Sequence, residues 1–126
     1  MNNPLSRHDR PAPGDRPESH AGQVDVSACI VNWNCKETLR GCLLSLRAQA
    51  ADLRLEIFVV DNASTDGAAA MVAREFPEVV LLRNAENVGF ARANNRAARL
   101  ASGRYLFFLN NDTVVPPGAI RRLVDF

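Results

Sequence analysis

Short apolar runs alternate with stretches of helical periodicity along most of this chain, and that alternation restricts its fold more than any other feature. The runs have the length of β-strands, and apolar residues recur every three or four positions in the stretches that follow them. The predicted strands are Val24–Asn32, Leu55–Asp61, Val79–Arg83 and Tyr105–Leu109. Strands that alternate with helices form parallel sheets with right-handed crossovers. We therefore predict an α/β, Rossmann-like fold with a mostly parallel sheet and helices on both faces.

Local signals set the expected ends of the helices. The predicted helices are Lys36–Ala50, Gly67–Phe76, Ala91–Ser102 and a last helix from Gly118 onward. Ser64, Thr65 or Asp66 is expected to cap the second helix, and Pro77 to end it. Gly103 is expected to stop the third helix. The second and fourth strands are expected to be buried, because a continuous apolar run is typical of a strand covered on both faces.

Polar side chains follow three of the four predicted strands, at the point where each strand ends. These clusters are Asn32-Trp33-Asn34, Asp61-Asn62 and Asn110-Asn111-Asp112. In doubly wound sheets the ligand binds at the carboxyl ends of the strands, where the strand order reverses. We therefore predict a ligand site at this edge. Each cluster also fits a plain turn, because Asn and Asp side chains hydrogen-bond to nearby backbone.

Asp112 is the candidate metal ligand. Mg²⁺ is often held by one or two carboxylates plus substrate phosphates, so a single carboxylate is sufficient. A cation there would neutralise charge that builds on a departing diphosphate. Asp61 is interpreted either as a turn residue or as a hydrogen-bond acceptor for a base or ribose.

The loop before the third predicted helix supplies further candidates. Backbone N–H groups at a helix N-terminus attract anions, and Gly89 lets the chain approach a ligand closely, with Asn87 in the same turn. Arg92 lies in the first turn, where it can reach a phosphate, although the stripe that it forms with Arg96 and Arg99 is expected to be solvated.

Asn94 and the residue after it, Asn95, interrupt the same predicted helix. Asparagine is a poor helix former, so at least one of the two is expected to have a polar partner. Trp33, between two asparagines at a strand end, is interpreted either as core packing or as one wall of a ligand pocket.

Charge and missing motifs argue against several functions. The net charge of +1 gives no electrostatic reason to expect binding to nucleic acid or to an acidic membrane. No apolar run approaches the roughly 20 residues of a transmembrane helix. GxGxxG, GxxxxGK[ST] and GxSxG are absent, which argues against a dinucleotide dehydrogenase, a P-loop protein and a hydrolase. A receiver domain needs acidic residues after the first strand, where this chain has asparagines.

The first 23 residues differ from the rest in composition. They contain four prolines, many charges and one leucine, so we predict a disordered tail at 1–23 and one domain at 24–126. His8 and His20 lie in this tail and are expected to be solvated. The three cysteines are expected to be reduced thiols of a cytoplasmic protein, which could associate peripherally with the inner face of the membrane.

Three segments taken together resemble the family 2 glycosyltransferases. They are VSACIVNWNCKETLRGCLLSL, FVVDNASTDGA and NVGFARANNRAARLASGRYLFFLNNDTVVPPGAI, and the likeness is to the bacterial rhamnosyltransferase-like branch. The resemblance implies the N-terminal, donor-binding half of a GT-A domain. It also implies a nucleotide-sugar donor (UDP- or dTDP-sugar), Mg²⁺ or Mn²⁺, inversion at the anomeric carbon, and a glycan or lipid-linked acceptor in polysaccharide biosynthesis.

The resemblance also assigns roles to single residues. Asp61 would contact the nucleoside, and Asn32 and Asn34 would line the same pocket. Asp112 matches the last aspartate of the family's DxD motif, which binds the metal, whereas Asn110 replaces the first. The other expected nucleotide-sugar contacts are Asn87, Gly89, Arg92 and Asn94.

The family's general base, an aspartate or glutamate, lies well downstream of this motif. We expect it beyond Phe126, together with the acceptor-binding half, so no catalytic residue is assigned here and the chain alone is expected to be inactive. An apolar surface left by that half would favour self-association. The alternative is a non-catalytic nucleotide-binding module of the same fold.

Overall fold

The computed structural model describes residues 23–51 and 53–126, and within them the predicted order of elements is confirmed. The predicted disorder of the N-terminal tail and its two histidines lies outside these residues. The strands are β1 Val26–Asn32, β2 Leu55–Asp61, β3 Val80–Arg83 and β4 Tyr105–Leu109. The helices are α1 Lys36–Gln49, α2 Ala68–Glu75, α3 Phe90–Leu100 and α4 Ala119–Asp125.

The four strands form one parallel sheet in the order β3-β2-β1-β4. The chain moves outward from β1 to β3 and then crosses back to place β4 on the other side of β1. The strand order therefore reverses at β1, which is the arrangement in which an α/β sheet opens a crevice at the carboxyl ends of its strands.

Helices cover both faces of the sheet, as predicted. On one face, alternate residues of β1 and β2 pack with α1, α2 and α4 around Leu43, Phe76 and Ile120, which are almost completely buried. On the other face, Phe58 packs against Ala97 of α3 in a smaller cluster. No helix of the described residues is long and apolar enough to cross a membrane.

The prediction that both apolar strands are buried is correct for β2 and wrong for β4. β2 is buried almost throughout, whereas Leu106 and Phe108 of β4 are 44% and 52% exposed. These two side chains lie on the α3 face, but α3 packs mainly against β1 and β2. An apolar run has the same composition at the edge of a sheet as at its centre, so the sequence did not reveal this exposure.

Helix α3 ends three residues before the glycine that was expected to stop it. Ala101 is already extended, and Gly103 lies instead against β1, where its N–H donates to Ser27 Oγ at 2.8 Å. A Cβ atom at Gly103 would lie 2.6 Å from the Ser27 backbone nitrogen. The glycine is therefore required for close approach of the α3–β4 connection to β1.

All three cysteines are free, as expected for reduced thiols. Cys29 and Cys42 are buried, and burial raises the pKa of each thiol to about 11, so both stay protonated at neutral pH. Cys35, just before α1, is partly exposed.

We predict that Gly103→Ala lowers the free energy of unfolding by about 1–3 kcal/mol, because the added methyl group must displace β1 backbone. Gly41→Ala is the matched control. Gly41 lies inside α1, and a Cβ atom added to it would have no neighbour within 4 Å, so alanine should stabilise the helix by roughly 0.5–1 kcal/mol. Urea unfolding measures both, and equal effects of the two substitutions would contradict this account.

Candidate functional site

Hydrogen bonds join the ends of three strands at the carboxyl edge of the sheet. The parallel register places Asn32 of β1 beside Asp61 of β2. Asn32 Nδ2 donates to Asp61 Oδ1 at 3.2 Å, and Asn32 Oδ1 accepts from Asn111 Nδ2 at 2.9 Å. The clusters after β2 and β4 are therefore linked through β1, and they lie at one edge as predicted.

Asp61 is buried, and its hydrogen bonds also form a turn. Its Oδ2 accepts the Ser64 backbone N–H at 2.9 Å, and its Oδ1 accepts the Ser64 hydroxyl at 2.7 Å. The N-cap of α2 is Gly67 rather than one of the three expected residues, although Oδ1 of Asp66 accepts the N–H of Ala68, the first residue of the helix, at 3.0 Å. Asp61 is thus oriented by the protein itself before any ligand is present.

The loop after β1 is tied to the loop after β2. Asn34 has a positive φ of 49° and accepts the backbone N–H of Thr65 on its Oδ1 at 2.7 Å. Its own N–H donates to Ser64 Oγ at 2.9 Å. Trp33, between the two asparagines, is 53% exposed, so its interpretation as core packing is wrong and its ring is accessible at the edge.

Asn62 organises the loop before α3, a role that sequence analysis missed. Its Nδ2 donates to the Gly89 carbonyl at 3.3 Å, and its Oδ1 accepts from Asn84 Nδ2 at 2.8 Å. Gly89 has a φ of 89°, and its N–H donates to Asn87 Oδ1 at 2.9 Å, which forms the predicted glycine turn. The signal was an asparagine next to Asp61 at a buried strand end, but its partners lie more than 20 residues away.

The arginine stripe of α3 is only partly solvated. Arg92 is exposed in the first turn, as predicted. Arg96 instead donates to the Arg83 carbonyl at 2.9 Å and to Asn84 Oδ1 at 2.8 Å, so it helps to hold this loop. Asn94 is buried, and its Oδ1 has no hydrogen-bond partner within the described residues, so the expected polar partner is not found for this atom.

Asp112 is exposed and takes part in none of the hydrogen bonds found among the described residues. Burial raises the pKa of the Cys42 thiol, and the negative charge of Asp112 raises it further. No group of three His, Cys, Asp or Glu side chains that could hold a metal occurs in the described part of the chain. A cation at Asp112 would therefore take its remaining ligands from substrate oxygens and water.

The family relationship follows from comparison of the chain with known proteins. The sequence profile described as Glycosyl transferase family 2 matches residues 27–126, which include nearly all of β1 and every later strand and helix. The chain belongs to glycosyl transferase family 2. The predicted family is thereby confirmed, whereas its rhamnosyltransferase-like branch stays a prediction.

A curated relative agrees with this assignment. The chain is 32% identical over 88 residues to the UDP-Glc:alpha-D-GlcNAc-diphosphoundecaprenol beta-1,3-glucosyltransferase WfaP of Escherichia coli, covering 69% of the chain and 35% of WfaP. The matched region thus spans about a third of that relative.

Two solved structures have the same fold. S. aureus TarS in complex with UDP-GlcNAc matches with a TM-score of 0.72 at 22% identity, over 81% of this chain and 30% of TarS. The Pyrobaculum calidifontis mannosyltransferase PcManGT, in complex with GDP-Man and Mn²⁺, matches with a TM-score of 0.66 at 27% identity, over 87% of this chain and 33% of that one. The parallel, Rossmann-like sheet of this family 2 chain is therefore that of its GT-A neighbours.

We predict that Asp61→Ala lowers the free energy of unfolding by about 1–3 kcal/mol, because it leaves the buried amide of Asn32 and the partly buried donors of Ser64 without their acceptor. Asp112→Ala should change it by less than about 0.5 kcal/mol, since this carboxylate is exposed. Urea unfolding of both variants tests the difference, and an Asp61→Ala protein as stable as wild type would show that the turn does not depend on this carboxylate.

Proposed function

We propose that this chain is the donor-binding part of an inverting glycosyltransferase, which transfers a sugar from a nucleotide-sugar to a glycan or lipid-linked acceptor. The observation that carries the proposal is the hydrogen-bonded link from Asn111 through Asn32 to Asp61, which joins a nucleoside-side carboxylate to the DxD-like loop. Family membership and the nucleotide-bound neighbours support it.

Asp61 is assigned to the nucleoside. Its Oδ1 accepts two hydrogen bonds and its Oδ2 accepts one. Because each carboxylate oxygen can accept about two, Oδ2 can take a further N–H or O–H from a base or ribose. Both polar groups of Asn32 are engaged, so we assign it to positioning Asp61, and we assign Asn34 and the exposed Trp33 to the wall of the pocket.

Asp112 is assigned to a divalent cation, Mg²⁺ or Mn²⁺. The cation, when bound, would neutralise the diphosphate as it leaves. Asn110 stands where the family usually has an aspartate, so the site has one carboxylate fewer and we expect weaker binding of the metal. Mn²⁺ in the PcManGT complex supports a cation of this kind.

The turn before α3 is assigned to the phosphates. Asn62 and Asn87 hold Gly89 in its positive-φ, extended conformation, so the N–H groups of the first turn of α3 are fixed in direction. Such groups attract anions. Arg92 lies in the same turn and adds a full positive charge. We also assign Asn94 to contact with the nucleotide-sugar, because its buried Oδ1 has no hydrogen-bond partner within the described residues.

The acceptor and the cellular location are proposed from a relative. WfaP, by its name, acts on a diphosphoundecaprenol-linked sugar. A lipid-linked acceptor of this kind would bring the enzyme to the cytoplasmic face of the membrane as a peripheral protein. Direct binding measurements with UDP-sugars and dTDP-sugars would identify the nucleotide and the sugar.

We predict that UDP or dTDP with Mn²⁺ raises the melting temperature, and that Asp112→Ala abolishes the increase. A ligand at ten times its Kd stabilises by about 1.4 kcal/mol, which is several degrees for a domain of this size. The control is Asp125→Ala, which removes an exposed carboxylate of α4 that pairs with Arg121. A folded wild-type protein that nucleotide and metal do not stabilise would remove the main support for a donor site.

A non-catalytic nucleotide-binding module remains the alternative for this chain. We expect the 126-residue chain to transfer sugar negligibly, because the carboxylates assigned here, Asp61 and Asp112, hold the donor and neither activates the acceptor hydroxyl. A coupled assay of UDP release from UDP-sugars, with and without acceptor glycans, measures this. Acceptor-dependent release above the blank would show that a general base is already present.

A further inference from the structure

The loop that carries Asp112 connects β4 to α4 over residues 110–118, and its own backbone does little to hold it in place. The Thr113 N–H donates to the Asn110 carbonyl at 3.1 Å, which closes one turn. The two prolines of the loop have no N–H to donate. Because Asp112 takes part in none of the hydrogen bonds found among the described residues, its position depends on contacts that the loop makes with other elements.

Helix α1 provides such contacts through two polar side chains, Ser45 and Gln49, which are one turn apart and so share a face. Ser45 Oγ accepts the Val115 N–H at 3.0 Å. Gln49 Nε2 donates to the Pro116 carbonyl at 2.9 Å and to the Val115 carbonyl at 3.4 Å. Gln49 Oε1 accepts the N–H of Ile120, in the first turn of α4, at 3.5 Å. The two side chains therefore hold the chain on both sides of its prolines.

The burial of Gln49 indicates that its amide is there for the loop. The side chain is only 2% exposed, and Leu46, one turn earlier on α1, belongs to the apolar core. A buried amide is costly unless its polar atoms are paired, and an apolar side chain would fill the same space without that cost. Apart from one bond of 3.4 Å to the Ser45 carbonyl of its own helix, the hydrogen bonds of this amide go to the loop and to α4.

The start of the loop is fixed separately, by β1. Asn32 Oδ1 accepts from Asn111 Nδ2 at 2.9 Å. Only three residues separate Asn111 from Val115, where the contacts with α1 begin, and Asp112 is the first of them. So short a segment between two fixed points has few conformations, and release of either end would let the Asp112 carboxylate change direction.

We propose that Gln49, assisted by Ser45, is a positioning residue for the divalent cation. Neither side chain contacts the cation; both act through the loop backbone, so that the Asp112 carboxylate is already directed at the metal before it binds. A ligand held in its bound conformation binds more tightly, because less freedom is lost on binding. Side chains that orient metal ligands typically change metal affinity by roughly 10–100-fold. The inference rests on the proposed function of Asp112.

The increase in UDP affinity that Mn²⁺ causes tests the proposal. Isothermal titration calorimetry of the 126-residue chain with UDP, in Mn²⁺ and in EDTA, gives this increase as a ratio of two Kd values. Gln49→Met keeps a long, unbranched side chain but removes its hydrogen bonds to the loop. We expect the ratio to fall about tenfold, toward that of Asp112→Ala. The Kd for UDP in EDTA should not change, because Asp61 is held by Asn32 and Ser64.

Three further variants separate positioning from general stability. Ser45→Ala should lower the ratio in the same direction, and Ser45→Thr, which keeps the hydroxyl, should retain the wild-type ratio. Arg47→Met is the matched control on the same helix. Arg47 also donates to the backbone of another element, the Glu75 carbonyl of α2, at 2.8 Å, but it makes no hydrogen bond to the loop. Its loss should leave the ratio unchanged, and circular dichroism checks that each variant folds.

Amide hydrogen exchange without nucleotide or metal gives a second measurement. The Ile120 amide, whose acceptor is Gln49 Oε1, should exchange faster in Gln49→Met than in the wild type. The Asn62 amide, which donates to the Asn32 carbonyl at 2.9 Å, should exchange equally in both and is the internal reference.

The outcomes distinguish this proposal from the donor site on which it rests. A wild type whose UDP affinity does not rise with Mn²⁺ would overturn the donor site and the proposal together. If Asp112→Ala abolishes the increase but Gln49→Met retains it, or if Ile120 exchange is unchanged, the proposal alone is wrong. An equal loss of UDP affinity in Mn²⁺ and in EDTA, or a lower ratio in Arg47→Met, would show a general structural effect and would also overturn it.

Discussion

The side chain of Asn32 is the interaction on which the candidate site depends. It lies at the end of the strand where the sheet order reverses, with its amide nitrogen on Asp61 and its oxygen on Asn111. A single buried amide therefore sets the position of the Asp61 carboxylate relative to the loop that carries Asp112. Hydrophobic residues could not do this, because apolar packing has no direction, whereas the two ends of an amide specify a donor on one side and an acceptor on the other.

Much of this arrangement could be predicted because it follows from local pattern. The alternation of strands and helices predicted the parallel sheet, and the bounds of β2 and β4 were predicted residue for residue. The polar clusters after three strands predicted a shared edge, since parallel strands bring their carboxyl ends together. The turn at Gly89 could be predicted because few other residues adopt its φ of 89° without strain.

What could not be predicted depends on neighbours that are distant in sequence. β4 resembles β2 in composition, yet Phe108 is exposed because β4 lies at the edge of the sheet and α3 packs mainly on β1 and β2. The sequence predicts that Gly103 stops a helix, but the structure needs a glycine there because a Cβ atom would collide with the backbone of β1. Asn62 and Arg96 read as a turn residue and a surface charge, and their hydrogen bonds to the loop before α3 appear only once the chain is folded.

The unequal burial of the three thiols has a practical consequence. Cys29 and Cys42 are enclosed and protonated, whereas Cys35 is partly open and directly follows the Asn34 loop of the candidate site. Because Cys35 is the accessible thiol of the three, alkylating reagents should modify the native protein mainly there. A fluorescent label attached there would lie beside the candidate site without any engineered cysteine.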